Sequence, residues 1–77
     1  MAASSKIWVD ADATPRAVKE VLFRASDRRR VPIVLVANSW MALPRHGQVS
    51  LVQVKKGPDE ADHYIAEHAE KGDLVIT

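Results

Sequence analysis

The chain has 77 residues, of which 47% are hydrophobic and 27% are charged, and its formal net charge is +1. This length allows one domain with a modest core, which is marginally stable unless a metal or a second subunit supports it. The chain has no cysteine, which excludes disulfide bonds and thiolate metal sites and fits the reducing cytoplasm. Its apolar runs are too short to cross a bilayer, so we expect a cytoplasmic protein that does not contact the membrane.

The first predicted elements are a strand and a helix. Residues 1–5 are small and polar and are expected to be flexible. Residues 6–10 form a short apolar run that predicts a strand, with Trp8 in the core. Thr14 as a hydroxyl N-cap, followed by Pro15 at the first helical position, predicts the start of a helix. The inward face of this helix is expected to carry the apolar residues at helical spacing, which are Val18, Val21, Leu22 and Ala25.

Three more strands and a second helix are predicted further along the chain. Residues 33–37 are apolar and rich in β-branched residues, as in a strand buried on both faces of a sheet. Residues 38–48 predict a loop, residues 50–55 a strand nearer the sheet edge, and residues 73–77 a last strand. The second helix is marked by its start at Gly57 and Pro58, its inward residues Ala61, Ile65 and Ala69, and its end at Gly72.

The order βαββαβ predicts an α/β domain over residues 6–77, with a mostly parallel sheet and right-handed crossovers. The last predicted strand carries Leu74, Val75 and Ile76 in succession, as in a strand buried on both faces. The sequence ends there, before a helix that would cover these side chains. We therefore expect either part of a larger domain or a homo-oligomer that buries this face.

Carboxylates follow the first predicted strand, where ligand sites in open α/β sheets collect. Asp10 and Asp12 could share a hard cation such as Mg²⁺ or Mn²⁺, because close like charges otherwise repel. They could equally be a turn former and a helix cap. Asp59 and Asp62 share one face of the second helix, but acids in the first turn of a helix are also stabilised by its dipole without a ligand.

Each of the basic and aromatic candidates also has two possible roles. Arg28 and Arg29, with Arg24 one turn earlier, could contact phosphate, or could form a solvated helix end. Trp40, in the loop after the second strand, could stack on a base, or could pack over the end of the sheet.

Four motifs, in order along the chain, resemble a known bacterial family. They are W-V-D-A-D-A-x-P with the following helix V-K-E-V-L-F-R-A, then V-L-V-A-N at 34–38, G-P-D-E-A-D-H-Y-I at 57–65, and G-D-L-V-I-T at 72–77. Together they resemble the YaiI/YqxD proteins over residues 6–77. The chain departs from the family pattern at Thr14, where the family usually has cysteine.

The resemblance implies a PIN-like α/β fold with acidic residues at the strand ends, and PIN-like proteins are often metal-dependent ribonucleases. By position, Asp10, Asp12, Asp59 and Asp62 match the acidic motifs and are the implied metal ligands. Asp10, Asp12 and Asp62 are the implied catalytic residues, and Asn38 matches the polar residue after the second strand. In the family the last strand continues into Ala-Asp and a further helical half, so the chain resembles the N-terminal half.

Three functional hypotheses follow. The first is a ribonuclease or phosphodiesterase that uses Mg²⁺ or Mn²⁺. The second is a module that binds RNA or a nucleotide without turnover, through the acidic residues and a basic face that includes Arg28 and Arg29. The third is a fragment that self-associates through its sheet without any ligand.

Overall fold

The computed structural model describes residues 5–45 and 47–77. In these residues the elements are β1 (Ile7–Asp10), α1 (Arg16–Arg29), β2 (Ile33–Ala37), β3 (Val49–Gln53), α2 (Glu60–His68) and β4 (Leu74–Ile76). The βαββαβ order is the predicted one. The flexible start expected over residues 1–5 lies outside the described residues except for Ser5, which is exposed.

The described residues form one four-stranded sheet in the order β3-β2-β1-β4. Each neighbouring pair is parallel, with Ile7 opposite both Ile33 and Leu74, and Ile33 opposite Val49. The prediction of a mostly parallel sheet is confirmed, and so is the edge position of β3. Because all strands run the same way, their last residues lie along one side of the sheet, which we call the carboxyl edge.

The two faces of the sheet carry separate hydrophobic clusters, because successive strand residues point to opposite faces. On one face, Val9, Ile33 and Leu35 are fully buried, and Leu22 and Phe23 of α1 pack against this cluster. On the other face, Trp8 and Val36 are buried together with Ile65 of α2. The sheet therefore lies between the two helices, and Trp8 belongs to the core as predicted.

The inward face of α1 agrees with the prediction at Leu22, which packs on the core, and differs from it at the valines. Val18 and Val21 are 42% and 57% exposed, whereas Ser26 is fully buried. The hydroxyl of Ser26 donates to the carbonyl of Val31 and accepts a long hydrogen bond from the backbone N–H of Gln48. Because these partners satisfy the hydroxyl, a polar residue can occupy the centre of the helix face, and the valines turn to solvent.

The start of α1 also differs from the prediction. Pro15 occupies the N-cap position, and the helix begins at Arg16. Thr14 is buried, and its hydroxyl donates to the backbone carbonyl of Asp10 at 2.8 Å. Thr14 therefore fixes the turn after β1 and does not cap the helix.

The predicted inward face of α2 is confirmed at Ile65, which is buried, and at Ala61, which packs beside it. The helix ends at His68 and not near Gly72, so Ala69 packs on the same cluster from the C-cap position. Tyr64 packs on the same cluster and stacks on the ring of His68, with ring centroids 4.0 Å apart.

Asp73 ties β4 to β1 at the opposite side of the sheet from the carboxyl edge. Its carboxylate accepts hydrogen bonds from the indole N–H of Trp8 at 2.8 Å and from the backbone N–H groups of Lys6 and Glu70, each at 2.9 Å. The Glu70 N–H lowers the pKa of Asp73 most, followed by the bonds from Trp8 and Lys6. Charged Asp73 therefore stabilises the start of both strands.

The strand β4 is more exposed than its sequence predicts. Leu74 and Val75 are 54% and 41% exposed, whereas a strand with both faces covered would bury them. In the part of the chain that the structure describes, β4 pairs with β1 alone and its other edge is open. No helix among the described residues has the length and hydrophobicity needed to span a membrane.

Candidate functional site

The turn after β1 places two carboxylates at the carboxyl edge. Asp10 is the last residue of β1, and its backbone carbonyl accepts hydrogen bonds from the Ala13 N–H and the Thr14 hydroxyl. The next residue, Ala11, is buried and donates its N–H to the carbonyl of Val36 in β2 at 2.9 Å. These three hydrogen bonds fix the path of the chain between Asp10 and Asp12.

Asp12 and Asn38 are brought together, because β1 and β2 are neighbouring parallel strands. Oδ2 of Asp12 accepts a hydrogen bond from the backbone N–H of Asn38 at 2.8 Å. This bond joins the turn after β1 to the residue that follows β2. It orients the Asp12 carboxylate at the carboxyl edge and uses one of its two oxygens.

Asp10 differs from Asp12 in its partners. Its side chain is half-buried. Among residues 5–45 and 47–77, no side chain or backbone group forms a hydrogen bond or ion pair with the Asp10 carboxylate. The oxygens of this carboxylate are reached by solvent, since no buried side-chain oxygen of the described residues lacks a partner. A cation could therefore bind Asp10 without displacing a protein group, and it would offset the repulsion between Asp10 and Asp12.

Asp59 and Asp62 lie at the start of α2. Because α2 follows β3 and returns toward the start of β4, its first turn lies at the carboxyl edge. Asp59 is the N-cap residue, with a positive φ of 65°, and Asp62 is in the first turn; both are exposed. The backbone carbonyl of Asp59 accepts the N–H of His63 at 2.9 Å.

The four predicted metal ligands do not form one cluster in the described residues. Within residues 5–45 and 47–77 there is no group of three or more histidine, aspartate or glutamate side chains placed to hold a metal ion. The structure therefore offers Asp10 and Asp12 as neighbouring carboxylates of one turn, with Asp59 and Asp62 on another element at the same edge. The larger ligand set remains a prediction.

Arg28 and Arg29 lie far from these carboxylates. They are in the last turn of α1, which runs back from the carboxyl edge for 14 residues. At 1.5 Å per residue the helix is roughly 20 Å long, so its last turn lies at the opposite side of the sheet. The structure thus separates the predicted phosphate-binding arginines from the predicted metal ligands.

A cleft beside residues 16–24 of α1 is the feature that the sequence interpretation missed. It has a volume of about 700 Å³ and lies between α1 and residues 41–44 of the loop after β2. The side chains of Arg16, Lys19 and Arg24 line it, together with Phe23. We call it the α1 cleft. The spacing of Arg16, Glu20 and Arg24, four positions apart, indicates one helix face, but the loop that forms the other wall cannot be placed from sequence.

Trp40 precedes this wall of the cleft. It is 73% exposed, so the structure does not pack it over the end of the sheet. An exposed tryptophan in a loop is available for contact with another molecule.

A parallel α/β sheet with paired carboxylates at its carboxyl edge defines a class of proteins that place their ligand sites at strand ends. Residues 8–77 match the family model described as "Uncharacterized BCR, YaiI/YqxD family", and the chain belongs to this family. The resemblance predicted from the sequence motifs is confirmed.

Similar proteins come from several bacteria. A UPF0178 protein of Trichlorobacter lovleyi is 56% identical over 71 residues, which are 92% of this chain and 46% of that protein. A UPF0178 protein of Geobacter sulfurreducens is 61% identical over 72 residues, which are 94% of this chain and 48% of that protein. The chain thus spans about half the length of the curated relatives it matches. No solved structure matches it significantly.

Proposed function

We propose that the turn after β1 is part of a Mg²⁺- or Mn²⁺-dependent phosphodiesterase site of the PIN type, which acts on RNA in the cytoplasm. The observation that carries this proposal is the difference between the two carboxylates. Asp12 is oriented by the Asn38 N–H, and Asp10 beside it is half-buried and, among the described residues, has no protein partner. Two carboxylates that leave one strand end are a suitable ligand pair for a hard cation.

The donor set fits Mg²⁺ better than a metal that needs a complete protein cage. Mg²⁺ is usually bound by one or two carboxylates together with waters and substrate phosphates, so Asp10 and Asp12 would be sufficient protein ligands. Carboxylate oxygens also suit Mn²⁺. The ion would supply charge stabilisation at the phosphate and activation of the attacking water.

The side chains of the chain would then have separate tasks. Asp10 offers both oxygens, and Asp12 offers the Oδ1 that the Asn38 N–H leaves unused. Asn38 is a positioning residue, because its N–H fixes the direction of the Asp12 carboxylate. We assign Asp62, in the first turn of α2, to the orientation of water, and Asp59 to outer contacts with the hydrated cation.

Binding without turnover is the alternative, and a specific observation supports it. The described residues include a cleft with cationic walls and an exposed tryptophan near it, which are features of a binding surface. A binding module would retain the cation and the RNA but would leave the phosphodiester intact.

Self-association is a separate proposal that concerns β4. Its exposed Leu74 and Val75 and its open edge are features of sheets that pair with a second copy. A symmetric homodimer would bury both copies of this strand.

Calorimetric titration with Mn²⁺ and a cleavage assay on labelled single-stranded RNA test the phosphodiesterase proposal together. We expect the unmodified chain to bind Mn²⁺, and Asp10→Asn to abolish binding because it removes the carboxylate that lacks a protein partner. Glu67→Gln, which removes an exposed carboxylate in the second half of α2, is the matched control and should leave binding unchanged.

RNA cleavage that requires Mn²⁺ and is lost in Asp10→Asn would support the nuclease. Binding of Mn²⁺ and RNA without cleavage would favour the binding module. Absence of Mn²⁺ binding would contradict both.

A further inference from the structure

We propose that the α1 cleft binds single-stranded nucleic acid, with phosphates on Arg16, Lys19 and Arg24 and a base against the apolar side chains between them. This inference rests on the proposed function, because it names the substrate class of that site and the path the strand takes to it. It replaces Arg28 and Arg29 as the main phosphate contacts.

The size and lining of the cleft suit a nucleotide chain. Its volume of about 700 Å³ lies within the range of about 300 to 1,000 Å³ that is usual for ligand sites. One wall is a polar helix face, and the other is formed by residues 41–44, which include Met41 and Leu43. A ligand that fills this space must therefore have a charged side and an apolar side, as a nucleotide does.

The charge of the cleft favours an anion. Among the described residues that line it, Arg16, Lys19 and Arg24 are cationic and Glu20 is anionic, which gives the cleft a formal charge of +2. The whole chain has a formal charge of only +1, so the cleft is more positive than the chain as a whole. The depression at the end of α1, lined by Arg24, Arg28, Arg29 and Asp27, has the same formal charge but lies farther from the acidic turn. Closely spaced cationic side chains attract the phosphates of a strand and displace its counterions.

The ion pair between Arg16 and Glu20 does not prevent the cleft from binding a phosphate. The Arg16 guanidinium lies 3.7 Å from the Glu20 carboxylate, and the two side chains are 90% and 59% exposed. Such an exposed pair contributes about 0 to 1 kcal/mol, so a phosphate can compete for the arginine.

The apolar side of the cleft favours an unpaired base. Phe23 and Met41 pack against the hydrophobic core with part of their surface accessible, and Leu43 is 37% exposed. Trp40, next to Met41 in the chain, is 73% exposed. Aromatic and apolar side chains bind the face of a base, which is available in a single strand and hidden in a duplex.

The cleft is joined to the acidic turn by Lys19. Its Nζ donates a hydrogen bond to the backbone carbonyl of Ala11 at 3.1 Å, and Ala11 lies between Asp10 and Asp12 in the chain. A strand bound along Arg24, Lys19 and Arg16 would therefore bring a phosphate to the two carboxylates. The last turn of α1, with Arg28 and Arg29, leads away from them.

Fluorescence anisotropy with a labelled single-stranded oligouridine tests the inference, and it is carried out in EDTA so that binding does not depend on a metal. The double variant Arg16→Gln/Arg24→Gln removes two charges from the cleft. Arg28→Gln/Arg29→Gln removes two charges from the same helix outside the cleft and is the matched control. Circular dichroism verifies that both variants fold.

We expect the cleft variant to weaken binding about tenfold or more and the control to weaken it much less. The dependence of log K on log salt should become shallower by about 1.4 in the cleft variant, because each lost phosphate contact on a single strand contributes about 0.7. Oligouridine should also quench the fluorescence of exposed Trp40, and Trp40→Ala should weaken binding. Equal losses in the two double variants, or a greater loss in the control, would overturn the inference.

Two further binding measurements distinguish a cleft that binds a strand from the metal site and from a pocket that binds a single nucleotide. Asp10→Asn should bind oligouridine in EDTA at least as tightly as the unmodified chain, so failure of the metal site would leave this result intact. Uridine monophosphate should bind much more weakly than the oligomer, because it has a single phosphate. Equal affinity for the monophosphate and the oligomer would contradict a site for a strand.

Discussion

Substitutions of Asp10, at the end of β1, and of Asp12, in the turn that follows, should have unequal effects on stability. Asp12→Ala removes the hydrogen bond from the Asn38 N–H, whose 2.8 Å length is typical of a bond to a charged acceptor. Bonds to charged groups contribute about 1.5 to 3 kcal/mol. Asp12 is exposed, so water can replace it at the Asn38 N–H, and we expect a smaller loss of about 1 kcal/mol. For a domain of this size that corresponds to a fall of about 4 to 8 °C in the melting temperature.

Asp10→Asn should leave stability unchanged or slightly higher when no metal is bound. Among the described residues the Asp10 carboxylate has no bond to lose, and the substitution removes its repulsion with Asp12. We expect a change within about 0.5 kcal/mol, as for other substitutions that remove no buried contact.

Thermal and urea denaturation in EDTA, followed by circular dichroism, measure both effects. Addition of Mn²⁺ should then raise the melting temperature of the unmodified chain and not that of Asp10→Asn, because a ligand stabilises only the state that binds it. A loss of more than about 1 kcal/mol in Asp10→Asn would show that Asp10 has a structural bond. An unchanged stability in Asp12→Ala would show that its bond to Asn38 does not persist in solution.

Three other features of the structure give direct predictions. The bonds that lower the pKa of Asp73 stabilise the fold above the ordinary carboxyl pKa of 3.8, so the unmodified chain should lose stability as the pH falls below about 4. Asp73→Asn should be less stable at neutral pH and show a flatter acid dependence in melts across pH; parallel pH curves for the two proteins would contradict this. Ser26→Ala should cost about 1 to 3 kcal/mol in urea denaturation, because it removes the buried hydroxyl that donates to the partly buried carbonyl of Val31, and a neutral result would mean that water reaches this position. Leu74→Glu should reduce self-association in sedimentation at micromolar concentration, since β4 is the proposed contact; a chain that is monomeric without this substitution would disprove the contact.

The strands and their order along the chain were predictable, because the sequence signals that define them are local. The β-branched run of β2 predicted that this strand would be buried. Asp10 ends the first apolar run of the sequence, which predicted its position at a strand end. Parallel pairing then placed Asn38, at the end of β2, beside the turn that contains Asp12. The hydrophobic pattern was sufficient for the strands, whereas the contact of Asn38 with Asp12 depends on the pairing of β1 with β2, which the pattern does not show.

The α1 face was mispredicted because its packing depends on distant residues. Val18 and Val21 fit a helical stripe, but the stripe that packs is centred on Ser26, whose hydroxyl interacts with Gln48, 22 residues away. The α1 cleft was missed for the same reason, since one of its walls is a loop whose position is set by contacts of Met41 with the core. Helical periodicity shows which residues share a face but not which face is covered.

Paramagnetic broadening of amide NMR signals by Mn²⁺ tests most directly whether Asp10 and Asp12 bind a divalent cation at the carboxyl edge. At substoichiometric Mn²⁺ the signals of Asp10, Ala11, Asp12 and Asn38 should broaden first, and those of Arg28 and Asp73 should remain sharp. The selective effect should disappear in Asp10→Asn and persist in Glu67→Gln. Broadening centred on another part of the chain, or uniform broadening without a preferred region, would contradict the claim.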